Sequence, residues 1–176
     1  FQPHIVYLAN SSALKIGITR IVNMPTRWLD QGATQALPIL KVGSRRLSGH
    51  LETLIGTQIA DKTDWRKLLK GEAEPLNLIE QRDQILEEFA PKIQTIRDEF
   101  SQNLEFNENL EFLENELPRE FIYPVEQYPE KIKSLNLDKT PKIRGVLQGI
   151  KGQYLLLDIG VINIRKYTGY ELILKA

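Results

Sequence analysis

A length of 176 residues, with 41% of them hydrophobic and 26% charged, is typical of a soluble globular protein that buries a sizeable core. The absence of cysteine excludes disulfides, thiolate catalysis and cysteine-ligated zinc within these residues, and two histidines are too few for a histidine-rich metal site. No apolar run approaches the roughly 20 residues that span a bilayer, and no signal-peptide pattern opens the chain, so we expect a cytoplasmic protein that does not bind membranes.

The total charge is zero, but the charges are segregated along the chain. Residues 1–70 carry 10 basic and 4 acidic side chains, residues 71–140 carry 7 and 17, and residues 141–176 carry 6 and 2. Two basic blocks therefore flank an acidic one. Segregated basic charge favours a polyanionic partner such as nucleic acid, whereas the alternative is that each helix has an ordinary solvated charged face.

The first part of the chain predicts a hairpin, a short helix and a third strand. Residues 4–9 and 13–19 are apolar runs on either side of a polar turn, which is typical of a β-hairpin. Pro25 and Gly32 mark the start and the end of a short helix. Residues 37–42 predict a third strand, and its leading proline and its place after a helix indicate either a sheet edge or the start of a strand.

Helices are predicted next. Ser48 is placed to cap an amphipathic helix, and Trp65–Lys70 predict a short helix that ends at Gly71. Residues 76–100 have an amphipathic helical pattern that Pro91 should kink or break. Residues 101–120 predict either a further helix or an irregular acidic arm.

Glycines separate short apolar runs in the last third of the chain. Strands are predicted over 121–126, 142–150, 154–158, 161–165 and 170–174. Such a series indicates a small curled sheet or barrel. The predicted class is therefore α+β: a three-stranded antiparallel sheet with flanking helices over residues 1–71, an acidic helical region over 72–120, and a β-rich subdomain over 121–176.

Four residues of the front module form a known constellation. Tyr7 lies in Ile5-Val6-Tyr7 on the first predicted strand, and Gly17 follows Lys15-Ile16 on the second. Arg27 lies in PTRW on the short helix, and Glu52 lies in SGHLETLI on a later helix. In this order and approximate spacing, residues 4–70 resemble the GIY-YIG endonuclease superfamily, although the first signature lacks its glycine and Lys15 replaces the tyrosine of the second.

The resemblance implies a nuclease that requires a divalent metal, with Tyr7, Lys15, Arg27 and Glu52 as catalytic residues. Glu52 would hold Mg²⁺ or Mn²⁺, because Mg²⁺ often binds through one carboxylate together with waters and phosphate oxygens. Arg27 would contact the scissile phosphate with two hydrogen bonds. Tyr7 would take a proton from water if Lys15 lowered its pKa, and Gly17 would let the substrate approach the backbone.

Each of these residues also has an ordinary structural interpretation. Tyr7 would be a core tyrosine with its hydroxyl at the surface, and Gly17 would relieve a bend in a strand. Arg27 and Asp30 would form a weak pair on a helix surface, and Glu52 would be one exposed carboxylate of an amphipathic helix.

Basic and aromatic residues of the front module are candidates for nucleic-acid contacts. They are Arg20, Arg45, Arg46, Trp65, Arg66 and Lys67. The arginines and lysine would contact phosphates, and Trp65 would stack on a base. Alternatively, Trp65 anchors its short helix to the core.

The chain as a whole also resembles a bacterial family of uncharacterised proteins. The matching stretches are HIVYLANSSALKIGITR, PTRWLDQGA, DKTDWRKLLKG and GIKGQYLLLDIGVINIRK. Full-length members carry a cysteine-rich, zinc-ribbon-like segment before the histidine that matches His4. We therefore expect zinc only in such a segment, which these 176 residues do not contain.

These observations favour a nuclease that depends on a divalent metal and acts on DNA or RNA. The first alternative is a non-catalytic module, for example for structured RNA, that keeps the fold. The second is an adaptor that binds other proteins through the acidic middle region. The altered signatures favour the first alternative, and the acidic block favours the second.

Overall fold

The computed structural model describes residues 2–59, 64–71, 73–102 and 109–175. Its front part is built on the hairpin of β1 (His4–Asn10) and β2 (Leu14–Arg20), and β3 (Gln35–Val42) pairs with the other side of β1. All three strands are antiparallel, as predicted. Every residue of β1 is buried, because this strand lies in the middle of the sheet and is covered on both faces.

Two further strands extend this sheet to five. Both β4 (Leu110–Phe112) and β5 (Arg119–Glu120) pair with the outer side of β3. The prediction of three strands was therefore incomplete, and β3 is not an edge strand. Pro38 is tolerated inside the sheet at the point where the β1–β3 register shifts, opposite Tyr7. The predicted helix or acidic arm over 101–120 falls partly on residues 103–108, which lie outside the described residues.

Two helices cover one face of the sheet. They are α2 (Arg45–Gly56) and α4 (Leu78–Ser101). The core between these helices and the sheet includes the buried residues Val6, Leu8, Leu37, Leu40, Leu47, Leu51, Ile55, Leu86, Phe89 and Ile93. The acidic helical region therefore shares its core with the front module.

Two local details of these helices differ from prediction. Ser44, not Ser48, caps α2: its hydroxyl accepts the Leu47 N–H at 3.1 Å, while the Ser48 hydroxyl donates to the Arg45 carbonyl. Pro91 does not break α4, which continues to Ser101. Phe89 and Ile93, buried on either side of Pro91, hold both halves of the helix against the sheet.

The opposite face of the sheet carries the short helix α1 (Thr26–Asp30). Its buried Trp28 packs with Ile5, Tyr7 and Ala36 in a separate apolar cluster. Residues 5, 7 and 9 share this face because successive strand residues point to opposite sides. The fold therefore places Tyr7 beside the helix that carries Arg27.

The C-terminal part forms a second, three-stranded antiparallel sheet. Its strands are β6 (Leu147–Lys151), β7 (Tyr154–Leu157) and β8 (Gly160–Asn163), followed by a 3₁₀ turn at Ile164–Tyr167. The sheet packs on α3 (Trp65–Lys70), which ends at Gly71 as predicted. Asp64 caps its N-terminus.

Three strand predictions in this part were wrong in whole or in part. Residues 121–126 contribute only an isolated bridge from Val125 to Gly149. The strand predicted from 142 begins at Leu147. Residues 170–174 are irregular, Ile173 and Leu174 are 82% and 94% exposed, and none of the described strands pairs with this segment.

None of the helices in the described ranges is long and apolar enough to cross a membrane.

Candidate functional site

The site is built around Tyr7, whose ring crosses the neighbouring strand at Gly17. Tyr7 and Gly17 face each other in the β1–β2 pairing. A Cβ atom at residue 17 would lie 2.7 Å from both Cζ and the hydroxyl oxygen of Tyr7. The ring of Trp28 packs edge-on against Tyr7 at 5.7 Å between centroids. Gly17 therefore makes room for the ring of Tyr7, and its role toward a substrate stays a prediction.

Gln31 connects the Tyr7 hydroxyl to Arg27. In the amide orientation that satisfies both ends, the Gln31 nitrogen donates to the Tyr7 hydroxyl at 2.9 Å. The Gln31 oxygen then accepts from Arg27 Nη2 at 3.1 Å and from Nε at 3.3 Å. Gln31 was not among the site residues predicted from the sequence. Its spacing of four residues from Arg27, one helical turn, is the signal that identifies it.

The surroundings of Tyr7 keep its hydroxyl protonated. Burial raises the pKa of Tyr7 above its usual value of 10.0, and the Glu52 carboxylate raises it further. Arg27 and Gln31 lower the pKa in part. A general base at this position would need a lowered pKa, so the raised pKa of Tyr7 is opposite to what that role requires.

These pKa effects also show which predicted residues come together. Arg27 and the half-buried Glu52, on α2, both lie close enough to the Tyr7 hydroxyl to change its pKa. Lys15 lies opposite Ala9 on β2, two residues before Gly17 and on the same face as Tyr7. Side chains of α1 and α2 therefore lie near the hydroxyl of Tyr7 on β1, and Lys15 shares the face of the sheet that bears Tyr7.

A metal at this site would rely on one carboxylate. Among the described residues, no three His, Cys, Asp or Glu side chains converge. Glu52 alone fits a Mg²⁺ ion whose other ligands are waters and phosphate oxygens, the usual form of Mg²⁺ sites that act on phosphates.

A basic cavity of about 660 Å³ adjoins the site, and we call it the arginine cavity. Its walls include Arg20, Arg27 and Arg45 together with His4, Thr19 and Asn23. His4 is buried, and burial lowers its pKa; the charges of Arg45 and Arg20 add to this effect, against a hydrogen bond to the Gln2 carbonyl. Three guanidinium groups around a neutral imidazole form a cavity that attracts anions.

The other predicted binding residues lie elsewhere. Arg46 packs over the ring of Phe100 at 5.3 Å, so it faces α4 and does not line the arginine cavity. Trp65 stacks on Tyr154 at 6.4 Å with the rings nearly parallel, and Arg66 covers Trp65 at 4.6 Å. Trp65 thus anchors α3 to the C-terminal sheet, as the structural alternative held. Lys67 is exposed on α3.

The family model described as "Protein of unknown function (DUF2797)" matches residues 1–172. The chain belongs to this family. The resemblance to an uncharacterised family is thereby confirmed, and the match spans the front module, α4 and the C-terminal sheet of the DUF2797 protein. No curated protein and no solved structure matches the chain.

Proposed function

We propose that this DUF2797 protein is a divalent-metal-dependent nuclease with a front module of the GIY-YIG type. The observation that carries the proposal is that Arg27, Glu52 and Tyr7 meet beside the arginine cavity. This combination of a cation, a carboxylate and a fixed hydroxyl next to an anion-binding cavity is what phosphodiester cleavage requires.

Arg27 is the residue assigned to the scissile phosphate. It lines the arginine cavity, and Gln31 holds its Nε and Nη2 atoms. Its remaining N–H groups are available for phosphate oxygens, and a guanidinium already fixed in orientation loses little entropy on binding. As water attacks phosphorus and the bond to the leaving oxygen breaks, Arg27 stabilises the charge on the phosphoryl oxygens.

Glu52 is assigned to the metal, and Tyr7 to positioning. A bound Mg²⁺ or Mn²⁺ ion supplies charge neutralisation and an activated water. The role that the pKa of Tyr7 supports is that of a neutral hydroxyl, which keeps Gln31 and therefore Arg27 in place. The half-buried Lys15 is assigned to the site as well, because it lies on the face of the sheet that bears Tyr7.

The proposal is tested by cleavage assays on structured RNAs and branched DNAs with Mg²⁺ or Mn²⁺. We expect Arg27→Ala to reduce single-turnover cleavage roughly 100- to 1,000-fold, since it removes one donor to the transition state. Arg46→Ala is the matched control, because Arg46 packs on Phe100, and should cleave at the wild-type rate. Equal rates in both variants would contradict the assignment.

A second candidate is a non-catalytic nucleic-acid-binding module. It is favoured by the complete burial of Tyr7 and the raised pKa of its hydroxyl. In this case the arginine cavity would bind phosphates without cleaving them. Salt-sensitive binding without cleavage under any of these metal conditions would support this candidate over the nuclease.

A further inference from the structure

A second cavity of about 750 Å³ lies beside the arginine cavity, and we call it the α1 groove. One wall is formed by α1 and the 3₁₀ turn before it, with Val22 and Thr26. The other wall is formed by the C-terminal sheet and its 3₁₀ turn, with Ile150, Tyr154 and Ile164. The volume is within the range of about 300–1,000 Å³ that is typical of ligand sites.

The two cavities meet at Arg27. Arg27 and Asn23 line both of them, so a ligand bound in one reaches the other. The arginine cavity is strongly cationic, whereas the α1 groove has more apolar lining. Cationic and apolar surfaces joined by one arginine fit a ligand that is anionic at one end and flat and apolar at the other.

The groove offers an apolar surface and hydrogen-bonding groups. Val22, Ile150 and Ile164 line the groove, and these apolar residues are 66%, 42% and 39% exposed. Asp30 and Gln153 supply an acceptor and an amide. Such a lining suits a nucleobase, whose faces are apolar and whose edge carries donors and acceptors.

The groove is formed without a ligand, because contacts between the two walls hold them together. The Tyr123 hydroxyl donates to the Leu29 and Ala33 carbonyls at 3.3 and 2.9 Å. Gly152, at the β6–β7 turn, has φ +59°, and a Cβ there would lie 3.0 Å from the Asp30 carbonyl oxygen. The stack of Trp65 on Tyr154 holds the far wall.

We infer that the α1 groove binds an unpaired base whose neighbouring phosphate lies in the arginine cavity. The substrate class is therefore nucleic acid with single-stranded or extruded nucleotides. A base in a regular duplex is stacked and paired, so it does not enter a groove with two walls. The inference rests on the nucleic-acid substrate of the proposed function, but it does not depend on cleavage.

The test measures binding of the wild-type chain to labelled oligonucleotides by fluorescence anisotropy. The probes are a single strand, its blunt duplex, and the same single strand with one central abasic site, each as DNA and as RNA. We expect the intact single strand to bind at least about tenfold more tightly than the duplex and several-fold more tightly than the abasic strand, because stacking on each base contributes about 1–3 kcal/mol.

Variants of both walls separate the base site from the phosphate site. Val22→Gln and Ile164→Gln, which leave the charge unchanged, should each reduce the difference between intact and abasic strands. Ile122→Gln, at a side chain that is 98% exposed outside the groove, is the control and should bind as wild type does. Arg45→Ala should weaken intact and abasic strands equally.

The results distinguish this inference from the proposed function. The inference would be overturned if the wild type bound intact and abasic strands with equal affinity. It would also be overturned if the two groove variants lost the same affinity for both strands, even if the protein cleaves. Preference for the intact strand without cleavage would support the inference and count against the nuclease. Circular dichroism confirms that each variant is folded.

Discussion

Gly17 and Tyr7 form a pair in which one residue is small because the other is large. A Cβ at residue 17 would lie 2.7 Å from the Tyr7 ring, so Gly17→Ala must displace Tyr7 from its place below Trp28. We expect Gly17→Ala to lower the free energy of unfolding by about 1–3 kcal/mol, as overpacking does. Urea unfolding followed by tryptophan fluorescence measures it.

The control is Gly49→Ala on α2. Its added Cβ would approach no atom nearer than 3.8 Å, the distance to Arg45 Nη1. Alanine in a helix interior is favoured over glycine by about 0.5–1 kcal/mol, so this variant should be slightly stabilised. If both glycine variants gained stability, the tight packing of Tyr7 would be contradicted.

His4 makes the stability of the protein dependent on pH. Its folded pKa lies below the 6.5 of an unperturbed histidine, because of burial first and then Arg45 and Arg20. The unfolded chain therefore binds this proton more readily than the folded chain. The stability that His4 contributes is present above about pH 6.5 and is lost as the pH falls through its folded pKa.

Urea unfolding of wild type and His4→Asn at pH 5, 6 and 7 tests this assignment. As the pH falls, the free energy of unfolding should decrease more for the wild type than for His4→Asn. A difference that does not change over this range would show that His4 does not titrate in this window. Subtracting the variant removes the contribution of the carboxylates, which also titrate at low pH.

The sequence was sufficient to predict that Tyr7, Arg27 and Glu52 lie near one another, and their roles stay predictions. Their order and spacing along the predicted elements indicated this proximity, and in the structure Arg27 and Glu52 lie near the Tyr7 hydroxyl. The direction of the Tyr7 pKa was not predictable, since it depends on burial by Trp28 and Gly17, which come from other elements. Gln31 acts through one amide orientation, which only the hydrogen-bond geometry reveals.

Among the elements, α4 contains an exposed proline near its middle. Pro91 cannot donate an N–H bond within the helix, and its ring crowds the preceding turn. We expect Pro91→Ala to raise the free energy of unfolding by about 1–3 kcal/mol. Thermal or urea unfolding measures it. A loss of stability would mean that Pro91 shapes α4 in a way that the packing of Phe89 and Ile93 requires.

Elements with a strong local pattern were predictable, and those defined by a distant partner were not. The hairpin of β1 and β2, α3 and β7 follow from apolar runs, caps and glycines. By contrast, β4 and β5 are three and two residues long and exist through pairing with β3. Residues 170–174 have a strand-like sequence, but none of the strands in the described ranges pairs with them.

At the scale of the whole molecule, the sheet separates the acidic helix α4 from Tyr7 and α1. The acidic α4 packs on the face that bears Val6 and Leu8, whereas Tyr7 lies on the other face with α1. The two basic blocks meet around the α1 groove, where Arg27 of the first and Arg165 of the second are both found. Arg27 and Arg165 therefore place positive charge from both basic blocks at one groove.

The proposed nuclease activity depends most on Glu52, the residue assigned to the metal. Glu52→Gln keeps the shape of the side chain and removes the charge that would hold Mg²⁺. Glu111→Gln is the matched control, since Glu111 pairs with Lys41 at the exposed side of β3 and β4. Single-turnover cleavage at saturating protein, with binding measured on the same substrates, is the decisive measurement.

We predict that Glu52→Gln lowers the cleavage rate roughly 100-fold or more while affinity for the substrate and the unfolding transition stay near wild type. Glu111→Gln should cleave at the wild-type rate. Equal cleavage by wild type and Glu52→Gln, in preparations free of contaminating nuclease, would contradict the assignment of a one-metal phosphodiesterase site to this protein.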